Sequence, residues 1–334
     1  MKPSPGWAMG AMLLATLGCS VEPPGDAAEE SVAEPVEVAE FAVHRGVNVS
    51  HWLSQSEDRG AERAARLTAA DFTIIKELGF DHVRLPVDEE QLWDDPEAQS
   101  KFIDLWKQLS GELHEYPLDM VAYEPLNEAV AEDSEDWNKL INQVIGALRE
   151  LEPERVIVMG SNRWQTAGTF PDLQIPANDP NIILSFHFYT PMPVTHYTAP
   201  WTPLASYMGP VVYPGQAIDE AEYEAMDETL LAAVEEHNGM FDRAALEAIM
   251  VPAIEVARAA NLPLYCGEFG AFPAAPLEVR QAWYRDMISI FDEHDIAWAH
   301  WNYKDDFPLV TQDLEPITEL LGILIPGDGS VVSR

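Results

Sequence analysis

The chain has 334 residues and a formal net charge of −38, from 57 acidic against 19 basic side chains. That balance excludes nucleic acid, whose phosphates demand Lys and Arg, and disfavours an anionic membrane surface, whereas a neutral polysaccharide carries no charge to repel. A hydrophobic content of 47%, with 10 Trp, 10 Tyr and 12 Phe, supplies a sizeable core, and the length requires no second domain.

Residues 1–19 hold an early positive charge, Lys2, an apolar stretch from Trp7 to Leu17, and then Leu17-Gly18-Cys19-Ser20. The apolar run falls short of the roughly 20 residues a bilayer needs, so it reads as an export signal and not as a spanning helix. Gly before Cys19 is similar to a bacterial lipoprotein cleavage site, with Thr16 where Leu is usual. Lipidation at Cys19 would tether the chain at the cell envelope and is the only membrane contact expected; ordinary secretion is the alternative. Residues 20–40, rich in Pro, Ala and Glu without an apolar period, read as an acidic linker, leaving 41–334 as the folded domain.

Within that domain, Gly46 to Trp52 reads as a first strand. Thr68 then precedes a helix carrying Phe72, Ile75 and Leu78 on one side, and Asp81 to Pro86 forms a second strand. Pro96 opens a helix with Phe102, Leu105, Trp106, Leu109 and Leu113 at helical spacing, stopped before Pro117. Val121-Ala122-Tyr123 is a buried strand that leads into Asn127-Glu128. Ser134 is expected to cap the next helix, whose buried face runs from Trp137 to Leu148. Strands follow at 156–159 and 181–186, the latter ending in His187 and Tyr189.

A long segment, 190–238, carries Tyr197, Trp201, Tyr207 and Tyr213, aromatics suited either to sugar faces or to packing the loop on itself. A helix at 240–260, a strand from Leu262 ending in Glu268, a helix at 277–292 and a strand at 296–301 complete the series. Strands alternating with helices, and polar residues at strand ends, predict an α/β fold of the (β/α)8 TIM type, incomplete, with seven recognisable strands. Cys266, two residues before Glu268, is expected on the same face of that strand as a small buried side chain beside the barrel interior.

Glu128 and Glu268 thus stand at two strand ends, as a carboxylate pair. Glycosidic bond cleavage uses such a pair: an acid protonates the leaving oxygen and, in retaining enzymes, a carboxylate about 5 Å away attacks the anomeric carbon. Asn127-Glu128 and Gly267-Glu268-Phe269-Gly270, together with Val83-Arg84-Leu85-Pro86, Phe186-His187-Phe188-Tyr189 and Trp298-Ala299-His300-Trp301, resemble the motifs of glycoside hydrolase family 5 in their order. The resemblance implies retaining hydrolysis of β-glycosidic bonds, above all of a β-1,4-glucan in the endoglucanase manner, with Glu128 as acid/base and Glu268 as nucleophile. It further implies that Arg84 and Tyr189 hold Glu268 ionised, Asn127 binds the sugar 2-hydroxyl, His187 adjoins Glu128 and Trp301 lies beneath the sugar. No cofactor or metal is implied, and the expected partner is a polysaccharide or oligosaccharide.

One feature departs from the family pattern. Its members place a further strand, ending in a site histidine, between the strands that carry Arg84 and Asn127. Here only 43 residues separate those two positions, whereas a strand-helix-strand unit takes about 30 or more. A seven-strand wall, closed or left open beside the second strand, is therefore expected. The alternatives are a surface-anchored barrel that binds carbohydrate with little or no catalysis, and a mannanase or other β-glycanase using the same pair.

Overall fold

Short apolar runs, each followed by a polar residue and most by an amphipathic helix, fold here into one barrel. The computed structural model describes residues 12–16, 41–87, 93, 95–235 and 237–326. Its wall comprises β1 (Met12–Thr16), β2 (Arg45–Asn48), β3 (His82–Pro86), β4 (Val121–Glu124), β5 (Ile157–Gly160), β6 (Ile182–Phe188), β7 (Leu264–Phe269) and β8 (Ala297–His300). Around the wall the strands run β1-β3-β2-β8-β7-β6-β5-β4; β2 to β8 run parallel to one another, and β1 runs against both of its neighbours. Against the strands lie α1 (Ala69–Glu77), α2 (Pro96–Leu113), α3 (Ser134–Leu151), α4 (Arg243–Ala260), α5 (Leu277–His294) and α6 (Thr318–Leu324). Among the described residues no helix is long and apolar enough to cross a membrane.

Seven parallel strands are present, as expected, but the wall is neither closed by seven nor open. Met12–Thr16 lies antiparallel between β3 and β4, pairing five residues with the first and four with the second. The physical reason is the edge left by the short connection: β3 and β4 each offer backbone donors and acceptors, and an extended segment satisfies both at once. This strand belongs to the stretch read as an export signal. The rest of that stretch, Cys19 included, and the linker at 20–40 lie outside the described residues.

Some element ends differ from the sequence reading. The cap of α3 is Asp133, which accepts from the Glu135 amide at 3.0 Å, so Ser134 is the first helical residue. Helix α4 begins at Arg243 behind Asp242, because Met240–Phe241 pairs with Gly215–Gln216 in a small ribbon. Trp106 and Trp137 are core residues, as their helical spacing predicts.

The core has two shells. Ala122, Val158, Ile183, Tyr265 and Ala299, with Phe41, fill the barrel interior, while alternate residues such as Val121, Tyr123, Met159, Leu184 and Cys266 face the helices. Cys266 therefore corrects the expectation that it shares a face with Glu268. On β7 one extra residue enters between Cys266 and its successors: Phe186 and His187 of β6 pair with Cys266 and Glu268. This bulge resets the two-residue period and turns Glu268 inward while Cys266 points out.

Candidate active site

The polar groups collect where the parallel strands end, with Arg84 on β3 at their centre. Its guanidinium is fully buried, and every N–H has a partner. Nη1 donates to Asn48 Oδ1 at 2.9 Å and to Glu268 Oε1; Nε and Nη2 grip Glu124 at 3.2 and 3.1 Å. Asn127 Oδ1 at 2.6 Å and His187 Nε2 at 3.1 Å also lie on Nη2, so that its two hydrogens are shared among three acceptors. Gly267 makes room for this packing: a Cβ there would stand 2.9 Å from Ser185 Oγ, 3.1 Å from His187 Nε2 and 3.3 Å from Arg84 Nε.

These partners settle the state of His187. Arginine has no acceptor, so Nε2 must supply the lone pair; burial and the positive charge of Arg84 hold the ring well below its ordinary pKa, hence neutral. The proton then sits on Nδ1, which donates to Glu128 Oε1 at 2.8 Å. Tyr189, its hydroxyl pushed well above the usual range by burial and by Glu268, donates to Glu268 Oε2 at 3.0 Å.

Glu128 and Glu268 face each other across this arrangement. An oxygen of each and a His187 ring nitrogen all lie within 4.8 Å of one another. Burial raises both carboxyl groups, but the environments differ. At Glu268 Arg84 and the Tyr189 hydroxyl oppose the rise, whereas Glu128 is pushed well above the ordinary value by burial and then by the charge of Glu268, which Arg84 offsets only in part. The first proton to bind the pair therefore goes to Glu128. Its side chain is 21% exposed against 6% for Glu268, so solvent reaches the Glu128 carboxyl more readily.

Three of the groups were not singled out from sequence. Glu124 and Asn48 close two strands and satisfy the same strand-end criterion that singled out Glu128. Gln165 carried no signal, because it is placed by an irregular turn. Arg163, Trp164 and Gln165 have φ of 52°, 59° and 54°, three successive left-handed residues without a glycine. Such a turn costs roughly 1–2 kcal/mol per residue. It aims Gln165 inward, where Nε2 donates to Glu124 Oε1 at 3.2 Å and Ser185 Oγ at 3.1 Å, and Oε1 accepts from the Glu128 amide at 2.8 Å. Glu128 itself has φ 51°, a further left-handed residue held at the site.

Trp301 follows β8, beside the strand that bears Glu268; its N–H donates to the Phe269 carbonyl at 2.9 Å, and it is largely buried. In the long segment Tyr207 and Tyr213 are buried and bond to Pro210 and Asp286, which makes them packing residues. Trp201 instead meets Phe272, Phe307 and His196 ring to ring, and the last two also meet Tyr189.

Two clusters bring enough donor atoms together to be considered for a metal ion. In Glu128, His187 and Glu268 the buried Arg84 guanidinium already supplies positive charge beside Glu268, and both ring nitrogens of His187 are engaged, Nε2 by Arg84 and Nδ1 by Glu128. In Glu247, Glu293 and His294 the carboxylates pair with Arg243, and His294 bridges Glu247 and Arg258. Neither donor set suits a divalent cation.

A family model described as cellulase, glycosyl hydrolase family 5, matches residues 90–307. Endoglucanase C of Acetivibrio thermocellus is 31% identical over 84% of this chain and 97% of its own length. Structures of Thermotoga maritima Cel5A, with cellobiose and with mannotriose, superpose with TM-scores of 0.69 and 0.68 at 22% identity. Each covers 85% of this chain, and 96% and 97% of theirs. The chain is a glycosyl hydrolase and belongs to glycoside hydrolase family 5.

Proposed function

We propose that the protein cleaves internal β-1,4 bonds of a glucan with retention of configuration, Glu128 acting as acid/base and Glu268 as nucleophile. The observation that carries this reading is the close, inequivalent pair: carboxylate oxygens within 4.8 Å, one group held by Arg84 and Tyr189 and the other raised to keep its proton. Retaining enzymes hold their two carboxyl groups about 5–5.5 Å apart and inverting enzymes roughly 6.5–9.5 Å; an oxygen of Glu128 within 4.8 Å of one of Glu268 favours the retaining arrangement.

In the first step Glu268 attacks the anomeric carbon as Glu128 passes its proton to the departing oxygen. In the second, Glu128, now a carboxylate, takes a proton from the water that releases the sugar. His187 donates to Glu128 through Nδ1 and steadies the anionic form between the steps. Asn127, its oxygen bound by Arg84, offers N–H to the sugar 2-hydroxyl, and Trp301 lies beneath the ring. Proton NMR of the first product tests the mechanism: β-anomer first from a β-glucan is expected, and α-anomer first refutes it.

Endoglucanase C supports glucan as the substrate, and the mannotriose complex of Thermotoga maritima Cel5A keeps mannan as a second reading. Reducing-sugar release from cellulose derivatives, mixed-linkage glucan, mannan and xylan separates them. The intact carboxylate pair speaks against a barrel that merely binds carbohydrate. Export, with lipid attached at Cys19, remains part of the proposal on the strength of the short apolar run before Gly18-Cys19.

A further inference from the structure

The strand between β3 and β4 differs in kind from the rest of the wall. Strands joined through crossover helices run parallel, as β2 to β8 do, whereas Met12–Thr16 runs against both neighbours. The chain between it and Phe41, residues 17–40, can reach about 80 Å at roughly 3.3 Å per residue, so no short tether forces this seat. Its register is level on both edges: Met12 stands opposite Pro86 and Glu124, Leu13 opposite Leu85 and Tyr123, and Leu14 opposite Arg84 and Ala122. β3 and β4 are therefore two strand spacings apart, roughly 9–10 Å, too far to pair with each other and right for one intervening backbone. The occupant suits a central strand, in which proline breaks a ladder and a charge is costly: Gly6 to Val21 is the longest stretch of residues 1–40 with neither.

We propose that the gap between β3 and β4 is a peptide-binding site, which takes an apolar, proline-free segment as an extended strand antiparallel to both edges, and that its ligand is the chain's own leader around Met12–Thr16. Main-chain hydrogen bonds supply the affinity, as they do when a strand adds to an exposed sheet edge, and here two edges contribute at once. The seat is held by backbone pairing and not by chain connection, so the same segment should bind when supplied as a separate peptide. Cleavage before Cys19 would separate this ligand from the enzyme and leave the two edges to be covered from outside the chain.

The test uses the full chain, as wild type and as Leu14→Pro, which removes a backbone donor opposite Arg84 and Ala122 and so unseats the strand. The probe is a fluorescein-labelled peptide of residues 7–18, followed by fluorescence polarisation. The variant should bind it saturably and at least tenfold more tightly than wild type, whose own strand competes, and the same peptide with Leu14→Pro should not bind. A folded variant that binds no peptide, or binds it no better than wild type does, overturns the proposal. Hydrogen exchange followed by mass spectrometry on the wild type stands independently of how the variant folds: residues 12–16, 82–86 and 121–124 should all be protected, and exchange at 12–16 at the rate of the free peptide overturns the proposal. A wild-type dimer that Leu14→Pro converts to monomer, seen by light scattering, would assign the strand to a second copy and overturn its seat within its own chain.

Discussion

Replacing Arg84 by Met removes the positive charge from between two buried carboxylates while keeping most of the side-chain volume. Arg84 and Glu124 are fully buried and Glu268 is 6% exposed, so solvent screens neither pair appreciably. Breaking a buried ion pair from one side costs about 3–5 kcal/mol, because the remaining charge has no partner. At about 2–4 °C per kcal/mol for a chain somewhat smaller than this one, the melting temperature should fall by roughly 6–20 °C at neutral pH. The sign with pH follows from Glu268. Its carboxyl is already raised by burial against the opposition of Arg84, so losing Arg84 raises it further. A group raised in the folded state contributes stability that is present at acid pH and lost as pH rises through its folded value. The deficit of the variant should therefore shrink toward acid pH, and the acid limb of any residual activity should move upward. Glu124→Gln in the same background removes one orphaned charge and should recover part of the loss. Calorimetry across pH, together with the pH profile of an activated aryl glycoside, measures both effects. A variant that melts like wild type at every pH, or whose acid limb stays in place, refutes the argument that Arg84 holds Glu268.

Glu268→Gln should abolish turnover with the fold intact, since the side chain loses nucleophilicity and hardly any volume; wild-type rates on an aryl glycoside would reject the assignment. Glu128→Gln should raise the melting temperature at neutral pH. The raised carboxyl of wild type contributes its stability below the ordinary value of 4.5 and loses it above, so the gain should vanish in acid; an equal gain at all pH would point to another cause. Deleting residues 1–18, as processing before Cys19 would, removes β1 and its ladders on β3 and β4, and should cost about 3 kcal/mol or more at roughly 0.5–1.5 kcal/mol per hydrogen bond. An unchanged melting temperature would show that Met12–Thr16 adds nothing to the wall.

Much of the molecule was legible in residue order alone. Apolar runs of strand length alternating with helical spacing specify a barrel, because each strand must bury one face against its helix and the other against the barrel interior. Polar residues at strand ends then mark the site. Glu128 and Glu268 stood out in that way, the resemblance to glycoside hydrolase family 5 added Arg84, His187 and Tyr189, and the five do converge. The short span between Arg84 and Asn127 likewise announced a missing strand.

Tertiary structure decided what depends on register and on backbone departures from the regular. The bulge in β7, which sends Glu268 inward and Cys266 outward, leaves no trace in an alternating pattern that it breaks by one residue. Gln165 reaches Glu124 and the Glu128 amide only because three non-glycine residues adopt a left-handed turn, which local propensity disfavours and surrounding contacts enforce. The segment that occupies the gap was equally hidden, since Met12–Thr16 reads as a leader until the unpaired edges of β3 and β4 give its backbone a partner on each side. Sequence specifies which side chains a strand carries; where the chain leaves regular geometry, only the packed neighbours determine which way they face.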